Sequence, residues 1–147
     1  MNRLTLTAHY DSSAEQVWAQ LADLASHAEW MTDAGGILFV GDQTSGLGTR
    51  MRVPTRFGPF RTDDLMTVVE WEEGRLLGVR HSGAVSGVGR FEIRPTAGGT
   101  DLNWSETLRF PWWLAGSVGA LLARPVLKRV WRGNLRRLGE RLAVNDP

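Results

Sequence analysis

Thr100-Asp101-Leu102-Asn103-Trp104-Ser105-Glu106-Thr107-Leu108-Arg109-Phe110-Pro111 carries the change of period that decides how this chain folds. Up to Arg109 the side chains alternate. Leu102, Trp104, Glu106 and Leu108 share one face and Asn103, Ser105 and Thr107 the other, the pattern of a strand with one buried side. Beyond Pro111 the period becomes helical. Leu127, Trp131, Leu135, Leu138 and Leu142 form one apolar stripe, with Arg124, Lys128, Arg132 and Arg136 on a different face, which predicts a long amphipathic C-terminal helix. Pro125 lies inside that pattern and predicts a kink or two helical pieces.

Upstream, the same reasoning gives a sheet. Leu4, Leu6, Ala8 and Tyr10 alternate with polar residues as a first strand. Ser12 followed by Glu15 reads as a capping box that opens a helix carrying Val17, Trp18 and Leu21. Ser26 and Glu29 repeat the pattern before a second short helix that brings Trp30 round. Strands are then expected at 37–41, 49–53, 59–71, 76–82, 87–95 and 100–109, with turns at Ser45-Gly46, Glu73-Gly74 and Ala97-Gly98-Gly99. Short connections make successive strands neighbours in one sheet. The glycines from Gly83 to Gly89 are expected to let that sheet bend. The result is an α+β domain, β-α-α-β6-α, with a curved antiparallel sheet of about seven strands wrapped round its last helix.

Composition sets the outer limits. The chain has 147 residues, 42% apolar and 22% charged, which suits one globular domain over residues 1–147 that buries roughly 70% of its unfolded surface. It has no cysteine, which excludes disulfides, thiol nucleophiles and thiolate metal sites. With no signal-like apolar run at its start and no span of membrane-crossing length, the expected location is cytoplasmic. Residues 1–110 carry a net charge of −4 and residues 111–147 a net +5. The basic end is either a solvated helix face or a surface for an anionic partner.

Several stretches resemble the START-like (SRPBCC) superfamily with its helix-grip fold, nearest to the bacterial polyketide cyclase/dehydrase and lipid-transport branch. They are Ala14-Glu15-Gln16-Val17-Trp18-Ala19-Gln20-Leu21-Ala22-Asp23, Glu29-Trp30, Gly46-Leu47-Gly48-Thr49-Arg50-Met51, Val69-Glu70-Trp71-Glu72-Glu73-Gly74-Arg75-Leu76, Gly98-Gly99-Thr100-Asp101-Leu102-Asn103-Trp104 and the final helix. The resemblance covers nearly the whole chain. It implies a sheet gripping the last helix round an apolar cavity that holds lipids, polyketides or similar compounds. Only some members of the superfamily are enzymes, so the fold leaves the activity open.

Chemistry-bearing motifs are few. No phosphate loop, nucleophile elbow or HExxH occurs. His9, His27 and His81 lie in different elements, which argues against a three-histidine metal site, and nothing calls for a cofactor. Alternation turns Thr49, Met51, Val79, His81, Phe91, Trp104 and Glu106 inward, and with Trp30 they are the expected ligand-binding residues. Glu106 and His81 are the candidates for acid–base catalysis. Alternatively, Glu106 binds Arg109 or backbone amides and His81 is a wall residue. Trp30, Trp71 and Trp104 are read as either core or ligand platform, with the resemblance favouring platform for Trp30 and Trp104.

Three functions follow. The first is a carrier or sensor of a hydrophobic small molecule. The second is an aromatase/cyclase-type enzyme using Glu106 or His81. The third is a module whose basic helix docks on an acidic protein or RNA. Trp112-Trp113 ahead of the basic helix also suits an anionic membrane surface, whereas the lack of aromatics among the arginines argues against nucleic acid. A monomer or a homodimer is expected.

Overall fold

The computed structural model describes residues 2–57, 60–83 and 85–145. Strand β1 (Asn2–Tyr10) leads into helix α1 (Ala14–Ala22), a 3-10 turn (Leu24–Ser26) and the short helix α2 (His27–Trp30). Six strands follow: β2 (Leu38–Phe39), β3 (Arg50–Phe57), β4 (Phe60–Glu72), β5 (Leu76–Ser82), β6 (Ser86–Thr96) and β7 (Gly99–Arg109). A 3-10 turn at Trp112–Leu114 then leads into helix α3 (Gly116–Asn145). The expected strand start at Pro59 lies outside the described residues.

All seven strands form one antiparallel sheet in the order β1-β7-β6-β5-β4-β3-β2. The meander keeps sequence neighbours together, while β1 crosses to pair with β7 from Asn2↔Leu108 to Tyr10↔Thr100. Alternation along the strands sets which side is buried, since successive side chains point to opposite faces. Leu102, Trp104 and Glu106 are buried on β7, Phe91 and Ile93 on β6, and Met51 and Val53 on β3. The whole α3 stripe, Leu127, Trp131, Leu135, Leu138 and Leu142, is buried against this face.

Local details differ from the sequence reading in four places. The capping box sits one residue later. Ser13 Oγ accepts from the Gln16 amide at 3.2 Å, and Gln16 Oε1 accepts from the Ser13 amide at 2.8 Å. Ser12 is instead buried, its carbonyl accepting the Thr100 hydroxyl. Ser26 does not cap α2, because its hydroxyl donates backward to the Asp23 carbonyl at 2.7 Å. Strand β2 is only two residues long, and α3 runs through Pro125 as one element rather than two pieces.

Helix α3 is latched to the loop after α2 by Asn134, which is fully buried. Its Nδ2 donates to Asp33 Oδ1 at 2.8 Å, and its Oδ1 accepts from the Thr32 amide at 3.1 Å and from Arg137 at 2.6 Å. Arg137 also donates to the Trp30 carbonyl at 3.0 Å. On the β1 side, the Tyr10 hydroxyl donates to the Leu135 carbonyl at 2.7 Å. These bonds fix the second half of α3 over the sheet. Its first half is different: Val118, Leu121, Leu122 and Val126 are exposed, as are Trp112 and Trp113 before it.

Candidate functional site

The interior between sheet and α3 is aromatic. Trp104 is the hub, its ring centroid 4.9 Å from Phe91, 5.2 Å from Trp131 and 6.5 Å from Trp30. Trp30 also meets Phe91 edge-on at 6.2 Å. These tilted and edge-to-face contacts are the arrangements that aromatic quadrupoles favour. Two of the indoles hand their N–H groups to carboxylates. Trp104 Nε1 donates to Glu106 Oε1 at 3.0 Å, and Trp131 Nε1 to Asp33 Oδ2 at 3.4 Å.

Glu106 is positioned by an absence of side chain next door. On the sheet it pairs with Gly89 of β6 and Leu4 of β1. A β-carbon on Gly89 would lie 2.4 Å from Glu106 Oε1, so only glycine leaves the carboxylate room to lean across β6. On the far side stands His81 of β5, whose own β6 partner is Gly87. His81 Nε2 lies 3.1 Å from Glu106 Oε2, with both side chains largely shielded from solvent. Neither of these two atoms has another polar partner among the described residues. Asp64 of β4 is also buried, and its Oδ1 has no hydrogen-bond partner within the described protein; nor has Trp30 Nε1.

The electrostatics follow from that crowding. Burial by itself would lower the His81 pKa. The adjacent Glu106 carboxylate, helped by Asp64 and Asp33, outweighs burial and raises it above the ordinary imidazole value. Burial raises Asp33, against the hydrogen bonds from Asn134 and Trp131, with Glu106 adding repulsion. His27 is the contrasting case. Fully enclosed and donating Nε2–H to the Leu21 carbonyl at 2.8 Å, it is pushed down by burial to about 4. It serves as packing beside Trp30 at 5.1 Å.

Of the eight expected ligand-binding residues, the structure gathers Trp30, Phe91 and Trp104 into ring contact and brings His81 to Glu106. Met51 and Val79 are buried on the same face. Thr49 is buried too, but its hydroxyl is committed to the Gly46 carbonyl at 2.7 Å. Trp71 stands apart, edge-on to Trp18 at 5.1 Å with its N–H on Glu73. The alternative of a Glu106–Arg109 pair is not formed: Glu106 meets Trp104 and His81, and Arg109 is exposed. Sequence reading missed Asp33, Asp64 and Asn134. A polar residue on an otherwise apolar helix stripe was the signal for Asn134, and inward alternation from Val68 through Met66 was the signal for Asp64.

A separate open groove of about 500 Å³ runs between β1 and α3, lined by Thr7, His9, Tyr10, Arg132 and Arg136 among others, and includes none of the expected residues. Among the described residues no group of three or more histidine, aspartate or glutamate side chains is set to hold a metal ion. No described helix is long and apolar enough to cross a membrane.

Comparison with known proteins places this geometry. No functionally curated protein matches the chain. Among solved structures, a protein from Thermus thermophilus superposes with a TM-score of 0.78 at 16% identity, over 99% of this chain and 100% of that one. A conserved protein from Geobacillus kaustophilus gives 0.81 at 13% identity, covering 97% and 95%. One from Mesorhizobium loti gives 0.75 at 18% identity, covering 99% and 100%. At such identities the likeness is one of fold. The family model described as polyketide cyclase / dehydrase and lipid transport matches residues 1–143. This chain therefore belongs to the polyketide cyclase/dehydrase and lipid-transport family, within the START-like superfamily and its helix-grip fold.

Proposed function

We propose that the protein binds a hydrophobic small molecule between its sheet and α3, as a carrier or sensor. The observation that carries this reading is the pairing of an aromatic wall with unsatisfied buried polar atoms. Trp30 Nε1 and Asp64 Oδ1 are enclosed without hydrogen-bond partners in the described protein, and His81 Nε2 and Glu106 Oε2 have only each other, 3.1 Å apart. Buried polar groups are ordinarily bonded, and leaving one unmade costs about 1–3 kcal/mol. An apolar guest with a polar end supplies what they lack. Family membership supports a hydrophobic ligand in general terms. The test is titration with Nile red, a neutral dye, following its emission and the quenching of protein fluorescence. Saturable binding that Met51→Trp weakens is expected; unsaturable binding, or binding that Met51→Trp leaves unchanged, removes the proposal.

A second reading rests on one distance. An enzyme needs paired acid and base groups within reach inside the interior, and His81 Nε2 and Glu106 Oε2 are 3.1 Å apart. In a cyclisation, Glu106 would take a proton from a carbon next to a carbonyl. That carbon would then bond to a second carbonyl carbon, whose oxygen would take the proton held by His81. Glu106→Gln should then abolish turnover of a poly-β-ketone while leaving Nile red binding nearly intact. Retained turnover removes this mechanism and leaves the carrier reading untouched.

A further inference from the structure

The carboxylates enclosed in this interior have no permanent cation to answer them. Asp64 and Glu106 are buried, and no arginine or lysine among the described residues is. Asp33 adds a third carboxylate that acts on both His81 and Glu106. The basic group facing them is His81, on Glu106. Arg137 is engaged with the Trp30 carbonyl and Asn134 instead. Two buried carboxylate oxygens, each on a side chain more than nine-tenths buried, have bonding capacity to spare: Asp64 Oδ1, which has no partner in the described protein, and Glu106 Oε2, which meets only His81. Such oxygens accept hydrogen bonds and repel anions, and bonds to them from a charged donor are the strong kind.

We infer that the guest is an apolar compound with a hydrogen-bond-donating head, best a protonated amine, held at Glu106 and Asp64, and that carboxylate-headed lipids are rejected. This rests on the proposed binding role and names the class of ligand it would serve. A carboxylate head could reach the His81 and Trp30 N–H groups only by closing on Glu106, Asp64 and Asp33, whose negative charge it would meet and a protonated amine would not.

The test holds the apolar body constant and changes the head. Decylamine, decanol and decanoate, each below its micelle-forming concentration, are titrated into the protein by calorimetry. The same series is run on Glu106→Gln and Asp64→Asn, with folding checked by circular dichroism. Decylamine is expected to bind at least tenfold tighter than decanoate, with decanol between them. The gap should shrink to less than threefold in Glu106→Gln through weaker binding of the amine, and should narrow in Asp64→Asn. Decanoate binding as well as decylamine to the unaltered protein would overturn the inference while leaving the binding role in place. So would an amine preference that persists in both variants, since it would then arise elsewhere on the protein. Should none of the three bind, the binding role itself fails and the inference goes with it.

Discussion

A β-carbon on Gly89 would collide with Glu106, so the His81–Glu106 approach depends on a residue that has no side chain. Replacing Gly89 by alanine should push the carboxylate aside and return the His81 pKa toward the ordinary imidazole value. Side-chain NMR titration reads this directly. In the unaltered protein His81 should titrate above about 6.5, because Glu106 favours its charged form, and His27 at about 4. The two act on stability in opposite directions. A raised folded pKa means that the His81 contribution is complete below about 6.5 and fades as pH climbs through the folded value. A lowered one means that the His27 contribution is complete above about 6.5 and falls by about 3 kcal/mol in total as pH drops to 4. A His81 pKa unchanged in Gly89→Ala would show that the two groups are not coupled through this lane.

Helix α3 illustrates what holds the elements together. Asn134 satisfies Asp33, Thr32 and Arg137 at once through four hydrogen bonds, so Asn134→Leu loses all four and leaves part-buried donors and acceptors without their partner. A loss of about 3 kcal/mol in denaturant unfolding is expected, whereas a change under about 1 kcal/mol would mean that the latch is replaceable by apolar packing. The strands and this helix were legible in the sequence, because alternation at Leu102–Leu108 and the Leu127–Leu142 stripe are set by burial on one face. The α1 cap was placed one residue early because Ser12 and Ser13 can each accept the bond, and the choice falls to Ser12 being buried against Thr100. Inward-facing site residues were legible for the same reason as the strands. Asp33 was not, since its role is made by Asn134 and Trp131, about a hundred residues away. Nor was the role of Gly89, which reads as a place for the sheet to bend until its neighbour is known to be Glu106.

At the scale of the molecule, charge and greasiness are separated. No acidic residue occurs between Glu106 and Glu140. Trp112 is 88% exposed and Leu122 73%, and the exposed Arg129, Arg132 and Arg136 continue along α3. We propose that this apolar-then-basic surface touches anionic membranes, where a carrier would meet cargo. Co-sedimentation with phosphatidylserine-containing vesicles should occur, fade in high salt and fall several-fold in a Trp112→Ser, Trp113→Ser double variant. Equal binding to purely zwitterionic vesicles, or no binding at low salt, would leave the face as ordinary solvated surface.

Pro125 gives α3 two mechanical regimes. It has no amide hydrogen to return to the Leu121 carbonyl, and it lies where the exposed first half of the helix gives way to the buried stripe that begins at Leu127. Beyond it, the Asn134 and Tyr10 bonds clamp the helix to its base. The helix is thus a cantilever, built in at its C-terminal end and compliant at the other. For the proposed guest, bending or unwinding before Pro125 would open a way in while the clamp and the buried stripe stay intact.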